Sequence, residues 1–346
     1  MDRGQKETEK QLRKVEERIN NEYSQAIKDI EAELKDYLRR YEIKDQKWQE
    51  WVENGTKTEE EYKQWRMGQM AVGQRWSDQK DAIAKELFKV NEEAKETYKS
   101  SAPLIFAENA NYATYEIEKD AKINTGFTLY SKEAVERLIK DDPDVLPTIG
   151  TKISQEIAEG KAVKWNRQQL QSVMIQGILQ GDSIPKLATR LANTVGEKNR
   201  KAAIRNARTM ATGAQNAGRV NAYQRAEFKG VEMEQMWLAT MDNRTRHSHR
   251  WLDRETRPVG EAFSNGCEYP GDPKGDPAEI YNCRCSLRGV VKGLERRSGQ
   301  FRDDSKINGM TYDEWRNAKA KSQDIQHQEK VGEAMKRKHI NEYKKG

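Results

Sequence analysis

The 346-residue chain holds only 3 cysteines, and its hydrophobic share, 35%, barely exceeds its 34% of charged residues. Three thiols are too few, and odd in number, for a disulfide framework. No apolar run approaches the roughly 20 residues of a membrane span. The opening stretch, MDRGQKETEKQLRKVEER, is charged throughout and has no signal-peptide core. These absences predict a protein made and used in a reducing cytoplasm, with no membrane role. So polar a chain does not fill one large core. It suits long helices joined to a smaller globular unit, in two or three domains. There is no phosphate-cradling P-loop, no HExxH and no nucleophile elbow.

What is present is helical periodicity. Leu12, Val15, Ile19, Tyr23, Ala26, Ile30, Leu34, Tyr37 and Tyr41 follow one another at steps of three and four. That stripe predicts one helix over the first forty residues. It serves either a bundle or an arm that docks on a partner. Asn54-Gly55 is a turn signal, and Thr58 with Glu61 forms a capping box that starts a second helix running to about Tyr98. Residues 1–100 thus read as an extended helical hairpin, with SSAPLIF (100–106) as a loop. A helix, a turn at Asn124–Gly126 and a helix after Ser131 follow. Leu170, Val173, Met174, Ile178, Leu187 and Leu191 then keep helical spacing. Gly181 is expected to end one helix and Asp182 to cap the next, giving two short helices at an angle.

A third helix is read over 197–230. Ala207, Ala211, Ala214, Gly218 and Ala222 form a ridge that admits a close neighbour. Between 186 and 230 ten Lys and Arg face only Glu197 and Glu227, a net charge of +8, against +6 for the whole chain. Lys198, Arg200, Lys201, Arg205, Arg208, Arg219 and Arg225 are therefore candidates for contact with the DNA backbone, the alternative being a solvated helix face.

After Gly230 the texture changes. VEMEQMWLATM has strand character, Pro and Gly cluster over 258–277, and EIYNCRCSLRGVV reads as another strand. On a strand, Cys283 and Cys285 would share a face. With Cys267, His247 and His249 they make a pool from which a four-ligand structural Zn²⁺ site can be drawn, His249, Cys267, Cys283 and Cys285 being the candidate set. The competing reading is buried thiols acting as small apolar groups. In TMDNRTRHSHRWLD, the residues Asp242, Arg244, Arg246, His249 and Asp253 either converge on a pocket, as a metal nuclease or a transferase would need, or form a polar loop held by Arg–Asp pairs.

The stretches Trp237 to Asp253, Phe263 to Gly266, Pro270 to Pro273 and Tyr281 to Leu287 resemble, in order and spacing, the Mu-F-like domain of tailed-phage minor head proteins. The motif residues are Asp242, Arg244, Thr245, Arg246 and His249, followed by Asn282, Cys283, Arg284 and Cys285. The resemblance covers about 165–290 and departs at Arg254, where the family commonly has glycine. It implies a head morphogenesis protein, non-catalytic, acting with a portal protein and with scaffold, major capsid protein or packaged DNA. Such a protein resides inside the virion head and, during assembly, in the host cytoplasm. It would support assembly, packaging or DNA delivery. Relatives of the domain are also joined to toxin effectors, for most of which the tail after 292 is too short.

The expected fold is mainly α with a small α+β module: a hairpin arm (1–100), a mostly helical region with the basic Ala-rich helix (101–230), a compact Mu-F-like module (231–292) and a polar tail, partly helical or disordered (293–346). No cofactor is required beyond the structural Zn²⁺ considered above. The alternative function is a metal-dependent nuclease or transferase-type effector built on Asp242, His249 and the cysteines.

Overall fold

The computed structural model describes residues 1–146, 155–294, 302–303, 307 and 309–323. Helices dominate: α1 (Arg3–Arg39), α2 (Glu42–Glu53), α3 (Glu59–Met70), α4 (Gln74–Ala121), α5 (Lys132–Asp141), α6 (Gln155–Leu179), α7 (Ile184–Phe228), the short α8 (His247–Trp251) and α9 (Pro277–Ile280), and α10 over 312–323. Strands β2 (Val231–Leu238), β3 (Thr256–Pro258) and β4 (Ser286–Leu294) form an antiparallel sheet in the order β3-β2-β4, and a separate pair joins β1 (Ile123–Asn124) to β5 (Arg302–Asp303). The fold is mainly α with a small α+β module, as expected. No helix among the described residues is long and apolar enough to cross a membrane.

The chain divides into two compact units, each assembled from separated stretches. One comprises Leu12–Ser100 and Gly150–Ala207, the other Met1–Gln11, Ser101–Ile149 and Arg208–Gly346. The consecutive segments read from the sequence do not map one-to-one onto them.

In the first unit the stripe from Val15 to Tyr41 is buried. Val15, Ile19, Tyr23 and Ala26 pack with Val90, Ala94, Ala203 and Ala207, and Ile30, Leu34 and Tyr37 join a larger core with Trp76, Ile83, Leu170, Met174 and Leu191. The helix is a bundle element, its apolar face consumed internally. A polar chain crosses the same bundle. Tyr23 donates to Asn91, Asn91 Nδ2 to Asn199 Oδ1 at 2.9 Å, and Asn199 Nδ2 to Asn166 Oδ1 at 2.9 Å. It touches α1, α4, α7 and α6 in turn and fixes their register, because a slip would leave buried amides unpaired. The α2–α3 hairpin is pinned by a buried pair, Arg66 Nε to Asp45 Oδ1 at 3.1 Å, while Arg66 Nη2 donates to Asp182 O at 2.7 Å.

Several helix boundaries differ from the sequence reading. The Thr58–Glu61 capping box is present, but the helix it starts ends at Met70, and Gly73, at φ +95°, separates it from α4. The stretch 100–106 is no loop. α4 runs through it with Pro103 inside. Ala102, Ile105, Phe106, Ala107 and Ala110 are all buried around that proline, so packing offsets the lost backbone bond. α7 is likewise one helix of 45 residues where two were expected. Gly196, inside that helix, is a contact residue: a Cβ there would meet Ile27 Cγ1 at 2.3 Å. Asp182 lies one residue too early to cap α7. Its carboxylate pairs instead with Lys186 (2.7 Å) and Arg190 (2.5 Å).

The second unit gathers α5, α8 to α10, the sheet and portions of α1, α4 and α7. The small-residue ridge behaves as expected: a Cβ at Gly218 would lie 2.4 Å from Phe106 O, so α4 and α7 touch backbone to backbone. α10 opens with a capping box, Thr311 with Glu314 three residues on. It docks through Tyr312 and Trp315 against Tyr112 and Tyr115, with Trp315 Nε1 donating to the buried Glu118 at 2.7 Å. The basic stretch KRKHINEYKK lies outside the described residues.

Arg219, counted among the DNA-binding candidates, is in this core with a side chain 1% exposed. It donates to both carboxylate oxygens of Asp2 at 2.8 Å and to Leu287 O at 2.7 Å. A guanidinium so placed is structural, since its charge is balanced internally. Nearby, one carboxylate oxygen of Glu116 is sealed from solvent with no hydrogen-bond partner among the described residues. Burial, reinforced by Asp2 and opposed by Arg219, pushes its pKa up from the ordinary 4.5 to about 7. Protonated Glu116 therefore favours the folded state fully below pH 4.5, and that contribution is lost as the pH rises through 7. Glu116→Gln is expected to match the wild type at acid pH and to exceed it by about 2 kcal/mol above neutrality. Urea unfolding of both proteins across that range checks this; parallel pH profiles would refute it.

Candidate metal centre

β2 sets the floor of the site. Its side chains alternate, and Val231, Met233, Gln235 and Trp237 point inward. Gln235 Nε2 donates to Glu261 O and Glu268 O, both at 3.0 Å, and so holds the Gly/Pro-rich loop that follows β3. Trp237 is fully buried and takes His249 edge-on at 5.4 Å and Phe263 at 5.2 Å. His249 sits on α8, which the loop after β2 delivers over this aromatic floor.

The two halves of the motif lock each other. Asp242 accepts from Arg244 N at 2.8 Å, closing the loop on itself, and its carboxylate receives both ends of the Arg284 guanidinium, Nη2 at 2.7 Å. That fork holds the Asp242 carboxyl well below the usual range. Thr240 Oγ1 donates to Arg284 O at 2.6 Å, and Arg246 donates to Tyr281 O. The loop pairing by Arg and Asp side chains is thus what these residues form. Arg244 itself is 77% exposed.

Cys283 and Cys285 do not lie on the strand. β4 begins at Ser286, and Asn282 turns the chain at φ +55°. The backbone of this approach is held by α7 side chains. Asn282 N donates to Thr209 Oγ1 (3.1 Å), Thr212 Oγ1 donates to Cys283 O (2.7 Å), Asn216 Nδ2 donates to Cys285 O (3.3 Å), and Leu287 N donates to Asn216 Oδ1 (2.9 Å). With Arg219 on Leu287 O these residues form a rail at helical spacing 209, 212, 216 and 219, which periodicity in apolar residues does not reveal. Between its members, Gly213 meets Gly271: a Cβ on the former would lie 2.8 Å from the latter's carbonyl oxygen.

Held this way, both thiols reach His249. Nδ1 is 3.4 Å from Cys285 Sγ and 3.6 Å from Cys283 Sγ. Nε2 lies 3.0 Å from Glu279 Oε2, and Glu279 accepts from Ser248 and Asn265, each at 3.2 Å. Glu279 carries no signal in the sequence, because α9 brings it in from a separate stretch. His249, Cys283 and Cys285 are each about 2% exposed. Cys285 is drawn down to about 5, first by a hydrogen bond from Cys283 and then by His249, whereas that same bond and burial raise Cys283. Cys267 lies outside the group of three, and burial pushes its thiol up to about 12. His247 is also elsewhere, accepting from Trp251 Nε1 at 3.1 Å.

The remaining basic candidates divide. Lys198, Lys201, Arg205 and Arg208 are exposed. Arg200 is committed to Glu197 at 2.6 Å and Asn20 at 2.5 Å, and Arg225 stacks on Phe127 and Tyr130, 4.2 and 4.6 Å from their centroids.

Residues 168–288, which take in the rail, the loop, His249 and both close cysteines, match the family described as Phage Mu protein F like protein. This stretch is a Mu-F-like domain. It is 28% identical over 227 residues to minor head protein GP7 of Bacillus phage SPP1, covering 63% of this chain and 70% of GP7. It is also 29% identical over 210 residues to the NAD(+)--arginine ADP-ribosyltransferase EFV of Enterococcus faecalis, covering 58% of this chain but spanning only 40% of that enzyme. No solved structure matches.

The rail makes a direct test possible. Asn216→Leu keeps the number and branching of side-chain heavy atoms but strips pairing from the main chain of Cys285 and Leu287, and is expected to cost about 3 kcal/mol. Arg244→Ala, at an exposed site, should stay within about 0.5 kcal/mol. Urea midpoints of the full chain measure both, and a loss below about 1 kcal/mol for Asn216→Leu would remove the rail's importance.

Proposed function

We propose that the protein is a structural component of phage head assembly, a minor head protein that joins the portal vertex and resides in the virion head after passing through the host cytoplasm. The observation that carries this reading is the state of the motif residues. Asp242, Arg246, His249, Cys283, Arg284 and Cys285 are spent on holding the module together, and those with reactive side chains, His249 and the two thiols, are sealed from substrate. Similarity to GP7 over 70% of its length supports the same reading. The transferase relative is matched over only 40% of its length. Portal, scaffold and major capsid proteins are the expected neighbours, and packaging or delivery of DNA the step served.

Lys198, Lys201 and Arg205 are exposed at helical spacing on α7, so they are proposed to touch packaged DNA. Binding of duplex DNA by the full chain should weaken steeply with salt. Replacing the three by alanine should reduce the slope of log K against log salt by about 2 to 3. An unchanged slope would place the DNA contact elsewhere.

The role itself is tested in particles. Expressed with its neighbouring head genes, the protein should sediment with capsids at low copy beside a portal protein, as read by quantitative mass spectrometry. Recovery in the soluble fraction alone, or NAD turnover by the purified chain, would overturn the structural reading.

A further inference from the structure

We infer that His249 Nδ1, Cys283 Sγ and Cys285 Sγ form a three-donor site for a borderline-soft divalent cation, Zn²⁺ foremost. The three ligand atoms lie within 4.8 Å of one another, and the two nitrogen–sulfur separations are 3.4 and 3.6 Å. A tetrahedral Zn²⁺ with Zn–S about 2.3 Å and Zn–N about 2.0 Å sets such edges at about 3.5 Å. The donors thus stand where an ion would hold them, with no rearrangement of the backbone. Two sulfurs and one imidazole select zinc over the hard cations, which take oxygen.

Two surroundings support the assignment. Glu279 Oε2 stands 3.0 Å from Nε2, the ring nitrogen turned away from the thiols, which has no hydrogen-bond partner among the described residues. A carboxylate on the far side of a liganding imidazole is the usual outer partner of a metal-bound histidine. It orients the ring and raises its basicity. Glu279 is itself fixed by Ser248 and Asn265. The thiols are positioned through their main chain by Thr212 and Asn216, and both sulfurs stand beside His249 Nδ1. A motif with this degree of support is preorganised in the way binding sites require.

The site differs from the four-ligand set suggested by sequence. Cys267 belongs to none of it, and among the described residues no fourth side chain joins the three. A single water enclosed with the ion would complete the tetrahedral shell. Binding replaces thiol protons by the ion, releasing them to solvent, and involves no change of oxidation state.

The experiment uses the full chain. Protein purified without chelator is analysed for metal, then stripped and titrated with Co²⁺ while far-ultraviolet circular dichroism follows the fold. About one ion per chain is expected, with the thiolate-to-cobalt charge-transfer band and the intense visible bands of a tetrahedral centre. Cys267→Ser should keep the band unchanged. Cys283→Ser and Cys285→Ser should abolish it, and Glu279→Gln should weaken binding by about 10-fold or more. A folded wild-type chain that takes up no Co²⁺ and shows no thiolate band would overturn the site, whatever the variants do. Loss of the band in a folded Cys267→Ser protein would overturn the three-donor assignment.

Discussion

The module depends on one row of side chains along α7. Thr209, Thr212, Asn216 and Arg219 take the peptide groups of residues 282–287 and give that segment the pairing a neighbouring strand would otherwise supply. Removing it would leave buried main-chain donors and acceptors open, at a cost of about 1–3 kcal/mol each. Everything chemically distinctive follows from that placement. The two sulfurs turn toward His249, Arg284 reaches Asp242, and Leu287 and Ser286 are delivered in register to Trp237 and Leu238. Arg219 extends the same constraint to the start of the chain through Asp2.

A second polar chain, from Tyr23 through Asn91 and Asn199 to Asn166, plays a comparable part in the helical unit. Apolar packing gives that unit its stability, but apolar surfaces slide. A row of amides that can be satisfied in one register only is what makes the arrangement unique.

Much of this was legible in the sequence where a strong period was at work. The stripe from Val15 to Tyr41, the Thr58 and Thr311 boxes, the turn at Gly126 and the alternation in VEMEQMWL all carry local signals, and the structure has them. Misreadings came where tertiary packing overrides local preference. Pro103 led to a loop reading over 100–106, yet it sits in a continuous helix whose neighbouring residues are buried, and α7 runs unbroken through Gly196, where only a residue without a side chain fits against Ile27. Arg219 looked like one more surface charge, since a sequence does not reveal that Asp2, more than two hundred residues away, neutralises it. At the site, the C-x-C pair and His249 were legible as a cluster. Their partner Glu279 was not, because it arrives on a four-residue helix with no pattern of its own.

On residues 282–287 the rail grips main chain only, and this bears on how such a domain can change over generations. Its grip is indifferent to which side chains hang from residues 282–287, provided the Asn282 turn is kept. The positions bearing sulfur could be exchanged for other donors, or for plain apolar groups, without dismantling the frame that presents them. A scaffold of this kind separates the inheritance of shape from the inheritance of chemistry, so related chains can preserve the one while gaining or losing the other.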